Sequence, residues 1–280
     1  MKYRMIPRLS SMLAVWSTLI GWNYSAPHIG VLGNLAFLLV IAVPLVMSGS
    51  EVVFYRRYAY RHECLIQPSW LYRLMGLEPL ILGGEIVKAL LLGMVLMVGT
   101  AALTLREAAL LLLNVVIMAL LMPRVPGLLH GSVNRTYLYA MSRLWAIRFS
   151  TWLLWLDSLL VLALSINDDY RGLSWADAVV YSTALPHSPN DNVLVSLLVR
   201  IDAGADGLAR WAGYLLLHET ASLSQTLAAV MILVVVLYAW FLLAWAYSRA
   251  LVGAMARPFA IWRPRPRRRD DGDVFENWWM

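Results

Sequence analysis

Three ionisable side chains fall inside stretches that are otherwise apolar: Glu85, Lys88 and Asp157. An unpaired charge is costly in lipid, so each must be neutralised, hydrated or put to use. Glu85 and Lys88 are three positions apart, so they share a helix face and can neutralise each other. Gly83-Gly84 just before them would let another backbone approach closely. Asp157 has no opposite charge within its own apolar stretch. It must be protonated, hydrated or paired across helices. Lys88 is one candidate partner, and Asn114, midway along another apolar stretch, can hydrogen-bond to either. Two chemistries fit these groups. One is a polar clamp that fixes helix packing or a contact with another subunit. The other is a proton or ion path through Asp157, Glu85 and Lys88.

Other chemistry finds little support. His28, His62, His130, His187 and His218 all lie outside the apolar stretches, which argues against a haem held inside a bundle. His62-Glu63 and His218-Glu219 lack the second histidine of a zinc-protease helix. There is no nucleophile elbow and no phosphate-binding loop. Ser48-Gly-Ser50 has no histidine within a span to act as its base. His187 beside Asp191 is too sparse a ligand set for a metal. Cys64 is the one cysteine, so no intrachain disulfide forms. The expectation is a non-enzymatic chain without metal or cofactor.

The elements that hold these groups follow from composition. Of 280 residues, 60% are hydrophobic and 14% are charged. A soluble domain carries about 25% charged residues, so most of this surface must face lipid. A crossing helix needs about 20 mostly apolar residues. The predicted spans are 9–24, 29–47, 79–103, 108–122, 149–166 and 226–247. The predicted fold is an all-α polytopic membrane protein, residues 1–280 forming one integral domain, with short amphipathic interfacial helices.

Positive charge sets the orientation. Lys and Arg accumulate on the cytoplasmic side of membranes. Segments 1–8, 49–78, 123–148 and 248–280 hold 18 of the 23 basic residues, whereas 167–225 holds seven acidic ones. Two basic segments flank residues 9–48, so an even number of spans lies between them. The short stretch 9–24 must therefore cross, with Trp22 and Tyr24 at the outer interface. Both termini are then cytoplasmic, and the pattern fits a bacterial inner membrane. The net charge of +6 is accordingly a topology signal, and no nucleic-acid partner is expected.

The segments between spans suggest surfaces. Residues 51–67 read as an interfacial helix, with Arg56, Arg57 and Arg61 at lipid phosphates or on a cytoplasmic partner. No Pro or Gly interrupts Thr136–Ile166, which permits one helix of up to 31 residues. Segment 167–225 reads as three short amphipathic helices, with Asp202-Ala-Gly-Ala-Asp-Gly207 as a break. Segment 248–280 reads as a cytoplasmic tail. Its cluster Arg263, Arg265, Arg267, Arg268 and Arg269 suits anionic lipid headgroups. Its end carries Phe275, Trp278 and Trp279, which can fill a partner's groove or fold back to the headgroups.

The expected function is an integral subunit of a multiprotein envelope complex of the secretion, DNA-transfer or transport type. A small ion- or proton-coupled transporter using Asp157 and Glu85 is the alternative. A lipid-acting enzyme using Asp168, Asp169 or His187 comes third.

Overall fold

A computed structural model of the chain describes residues 5–63, 78–101, 103–131, 135–166, 168–184, 193–218 and 222–256. These residues form nine α-helices and one turn of 3-10 helix at Asp168–Tyr170. The helices are α1 (Met5–Ser25), α2 (Val31–Glu63), α3 (Glu78–Thr100), α4 (Leu105–Leu121) and α5 (Val125–Leu129). They continue with α6 (Arg135–Ser165), α7 (Trp175–Ala184), α8 (Val193–His218) and α9 (Leu223–Ala254).

Four helices contain stretches long and apolar enough to cross a membrane: Val31–Ser50, Leu82–Thr100, Ala140–Ser165 and Leu223–Ala254. They coincide with four of the six spans expected from sequence. The other two predicted spans are helical, as α1 and α4, but are not among these four. At 17 residues, α4 is about 26 Å long, short of the hydrocarbon thickness.

Local sequence explains where helices begin. Thr104 and Glu107 form a reciprocal capping box on α4, and Ser222 and Gln225 form one on α9. Ser174 and Asp177 exchange equivalent bonds ahead of α7. The chain from Arg135 to Ser165 is one unbroken 31-residue helix, as the absence of Pro and Gly suggests.

Two expected boundaries do not exist. The sequence predicts 29–47 and 51–67 as separate elements, but α2 runs through Pro44 to Glu63. Likewise α8 runs straight through 202–207. Gly204 and Gly207 are buried there against α7, and a β-carbon on Gly207 would fall on the Ser182 side chain. These glycines serve close packing rather than a turn.

The main core joins α1, α2, α3, α4, α6 and α9 around Leu19, Leu45, Leu96, Met118 and Leu251. A second cluster packs α8 on α9 and the α6–α7 connection through Trp211, Leu215, Tyr170 and Ala229. A third packs Val195 and Val199 of α8 on Trp22, Leu38 and Met97. Thus α8 bridges α9 and the adjoining ends of α1, α2 and α3. Indole N–H groups tie helices together: Trp16 donates to the Ala108 carbonyl and Trp155 to the Leu237 carbonyl. Trp22, expected at the interface, is instead 2% exposed and donates to Asn34 Oδ1 at 2.8 Å. Its neighbour Tyr24 is exposed, as an interfacial ring would be.

Candidate functional site

The polar groups predicted to lie inside the spans separate into two places. In the first, Glu85 is buried among α2, α3 and α9. Lys88 Nζ lies 2.8 Å from Glu85 Oε1, so the expected pair forms. A second cation, Arg249 of α9, donates to Glu85 Oε2 at 3.2 Å. Its guanidinium also lies 5.1 Å from the centre of the Trp245 ring. The sequence reading had placed Arg249 in the cytoplasmic tail, yet α9 continues five residues past it. The charge was missed because the apolar run ends at Tyr247. The small residues Ala250 and Gly253, spaced to continue the packed face, were the available signal.

Close backbone approach makes this junction possible, but not at Gly83-Gly84. A β-carbon at either of those positions would meet nothing within 4 Å among the described residues, so no described helix makes the expected contact there. Gly49 and Gly253 take that role. A β-carbon on Gly49 would collide with the Glu85 carboxylate and the Arg249 guanidinium, and one on Gly253 with the Pro44 carbonyl. Ser48 Oγ is buried beside them and has no hydrogen-bond partner among the described residues.

Asn114 belongs to this structural set too. Its amide meets Ser150 Oγ at 2.9 Å, and Ser150 Oγ lies 2.7 Å from Ser248 Oγ. This chain of buried hydroxyls links α4, α6 and α9. Asn114 is thus engaged by Ser150 and Lys88 by Glu85, and neither of the two partners considered from sequence bonds to Asp157.

Asp157 lies in the second place. It opens on a partly open cavity of about 160 Å³ lined by α3, α4, α6, α8 and α9. Glu107, Asp202, Asp206 and Arg210 line the same cavity. Its remaining walls are largely aliphatic, with Trp240 and Tyr247 among them, and the Tyr247 hydroxyl is engaged by the Leu111 carbonyl at 3.0 Å. Asp157 makes no hydrogen bond or ion pair with any described residue. Asp157, Asp202 and Asp206 thus share a small, mostly apolar space with one arginine, and Glu107 stands at its exposed rim, where it also caps α4. The Arg210–Asp206 contact, at 3.9 Å, is loose and partly exposed.

Burial favours the neutral acid for the two carboxyls of α8. Burial, then the neighbouring Asp206 and Glu107, push the Asp202 carboxyl up to about 7. Burial pushes Asp206 up to about 6, with Arg210 opposing and Glu107 adding to the rise. Both groups therefore exchange protons near neutral pH. Asp202, Asp206, Glu107 and Arg210 escaped the sequence reading because they sit in segments assigned to the outer surface. Only the fold turns that edge of α8 inward. The i, i+4 spacing of Asp202, Asp206 and Arg210 was the visible clue.

The remaining predicted residues divide by position. Arg56, Arg57 and Arg61 lie on the extension of α2, and their side chains are outside the described residues. Arg263, Arg265, Arg267, Arg268, Arg269, Phe275, Trp278, Trp279 and His187 also lie outside the described residues. Among the described residues, no group of three His, Cys, Asp or Glu side chains is placed to hold a metal ion. Comparison with protein-family models, with curated proteins and with solved structures finds no match to this chain.

Proposed function

We propose that the chain is a six-span, non-enzymatic protein of a bacterial inner membrane, with both termini cytoplasmic, that moves a proton or small cation through the cavity beneath α8. The observation that carries this reading is the convergence of Asp157 with Glu107, Asp202 and Asp206 on one cavity. Burial raises the carboxyls of Asp202 and Asp206, which favours proton exchange along α8, and carboxylate oxygens suit a cation. The proposed path therefore uses Asp157 as the sequence suggests. It replaces Glu85, which two cations already engage, with the acids of α8.

Liposomes containing the purified chain test the idea. An imposed proton or sodium gradient is expected to dissipate faster than in empty liposomes. Asp157→Asn, which keeps the shape and removes the titrating group, should slow that flux on the order of 100-fold, as for loss of a positioned proton carrier. Equal rates in liposomes with and without the protein, for both ions, would rule the transport reading out.

Membership of a multiprotein envelope complex is the second reading. It is favoured by Val193, Leu197 and Ile201, an exposed apolar stripe on α8. Trp175, Val180 and Tyr181 of α7 are exposed as well. A segment in the outer aqueous phase would need a partner to cover them. The aromatic tail residues Phe275, Trp278 and Trp279 are the second proposed contact.

A further inference from the structure

We propose that the N-terminal end of α3 holds the phosphate of an anionic phospholipid, received by Lys88 in a notch left by Gly83 and Gly84. Glu85 is shared between Lys88 Nζ at 2.8 Å and Arg249 Nη2 at 3.2 Å. Neither cation forms an ion pair with another described carboxylate, although Arg249 also meets the Leu45 carbonyl and the Trp245 ring. Two cations on one carboxylate leave one net positive charge in an apolar setting. That excess is not shared evenly. The Arg249 side chain is 9% exposed and the Lys88 side chain 60% exposed, so the accessible charge is that of Lys88.

The surroundings of Lys88 are those of a lipid-facing surface. Ile86, Val87 and Leu91 on the same helix are exposed. A dissolved anion would have to enter this apolar rim, whereas a phospholipid brings its own phosphate on acyl chains that cover it. Depth agrees. Lys88 lies six residues beyond Leu82, where the apolar stretch begins. That is a rise of about 9 Å. Helical side chains lean toward the N-terminus, and lysine stems extend along apolar surface to bring the ammonium to the headgroups. In that direction lie Gly83 and Gly84, both exposed, with no described residue within 4 Å of either missing β-carbon. Gly84 is one turn from Lys88 on the same face. The open space beside the lysine thus has room for a headgroup.

Native mass spectrometry of the full chain, titrated with phosphatidylglycerol or phosphatidylcholine of matched acyl chains, tests this. The wild type should bind phosphatidylglycerol more tightly. Lys88→Gln should weaken that binding roughly five- to tenfold, the effect of one basic residue near a headgroup. Lys88→Arg should retain it. Lys88→Gln keeps the Glu85–Arg249 pair one to one, so the fold should survive. Gly84→Leu fills the notch without changing charge, projects into open space, and should weaken binding to a similar extent. Inorganic phosphate should not compete. Unchanged phosphatidylglycerol affinity in Lys88→Gln and Gly84→Leu would overturn the proposal. So would displacement of the lipid by phosphate at matched concentration. The cavity beneath α8 plays no part in this measurement, so either idea can fail alone.

Discussion

Arg249→Met is expected to lower the stability of the purified protein by about 3 kcal/mol, the cost of stripping one partner from a buried ion pair. For a chain of this size that corresponds to a fall of roughly 6–12 °C in melting temperature. Glu85 would keep Lys88, which is why the estimate stays at the low end for such pairs. Loss of the guanidinium also removes its contact with the Trp245 ring one turn back on α9, and the bond to Glu85 that ties α9 to α3 goes with it. The double variant Glu85→Gln/Arg249→Met should recover more than half of the loss, because the carboxylate that needed the cation is gone. Tryptophan fluorescence during thermal unfolding in mild detergent reads both. A single-variant loss below about 1 kcal/mol would mean that the pair behaves as a solvated surface contact.

The second large effect belongs to Gly253. A β-carbon there would fall on the Pro44 carbonyl and lie 3.1 Å from Ser48 Cβ. A backbone carbonyl held in a helix does not rotate aside, so α2 and α9 must part. Gly253→Ala should therefore destabilise the protein by about 2–3 kcal/mol, the upper part of the usual overpacking range. The same change at Gly84 should be neutral or stabilising. Its β-carbon meets only open space, and alanine is the better helix former. Equal melting temperatures for Gly253→Ala and the wild type would contradict the close approach of α2 and α9.

The positions of these two residues explain what sequence could and could not reveal. Hydrophobic length marked four of the candidate spans, because crossing a bilayer demands a continuous apolar run. Absence of Pro and Gly marked the full length of α6. Caps at Thr104, Ser174 and Ser222 are local patterns and stand in the sequence as they stand in the fold. Glycine was harder to interpret. Gly83-Gly84 looked like a contact and is open, whereas Gly207 looked like a break and is a contact. The residue type is the same in both cases; the neighbour that makes it necessary comes from another helix.

Charge followed the same rule. The Glu85–Lys88 pair is local and was legible, but Arg249 is 164 positions from Glu85. Asp157 was visible as a charge out of place. Its companions Asp202 and Asp206 looked solvated until α8 was seen to pack across the α1–α3 ends and along α9. Sequence identified which residues needed an explanation, and tertiary packing supplied their partners.

The cavity acids give the most direct test. Infrared difference spectra, recorded while pH is stepped on the detergent-purified protein, follow the carbonyl band of protonated carboxyls. Asp202 and Asp206 interact, so their steps belong to the pair. The account predicts two steps of the pair, at about 7 and about 6, reduced to a single step in Asp202→Asn. A spectrum in which every carboxyl has ionised by about pH 5, as ordinary hydrated acids do, would contradict it.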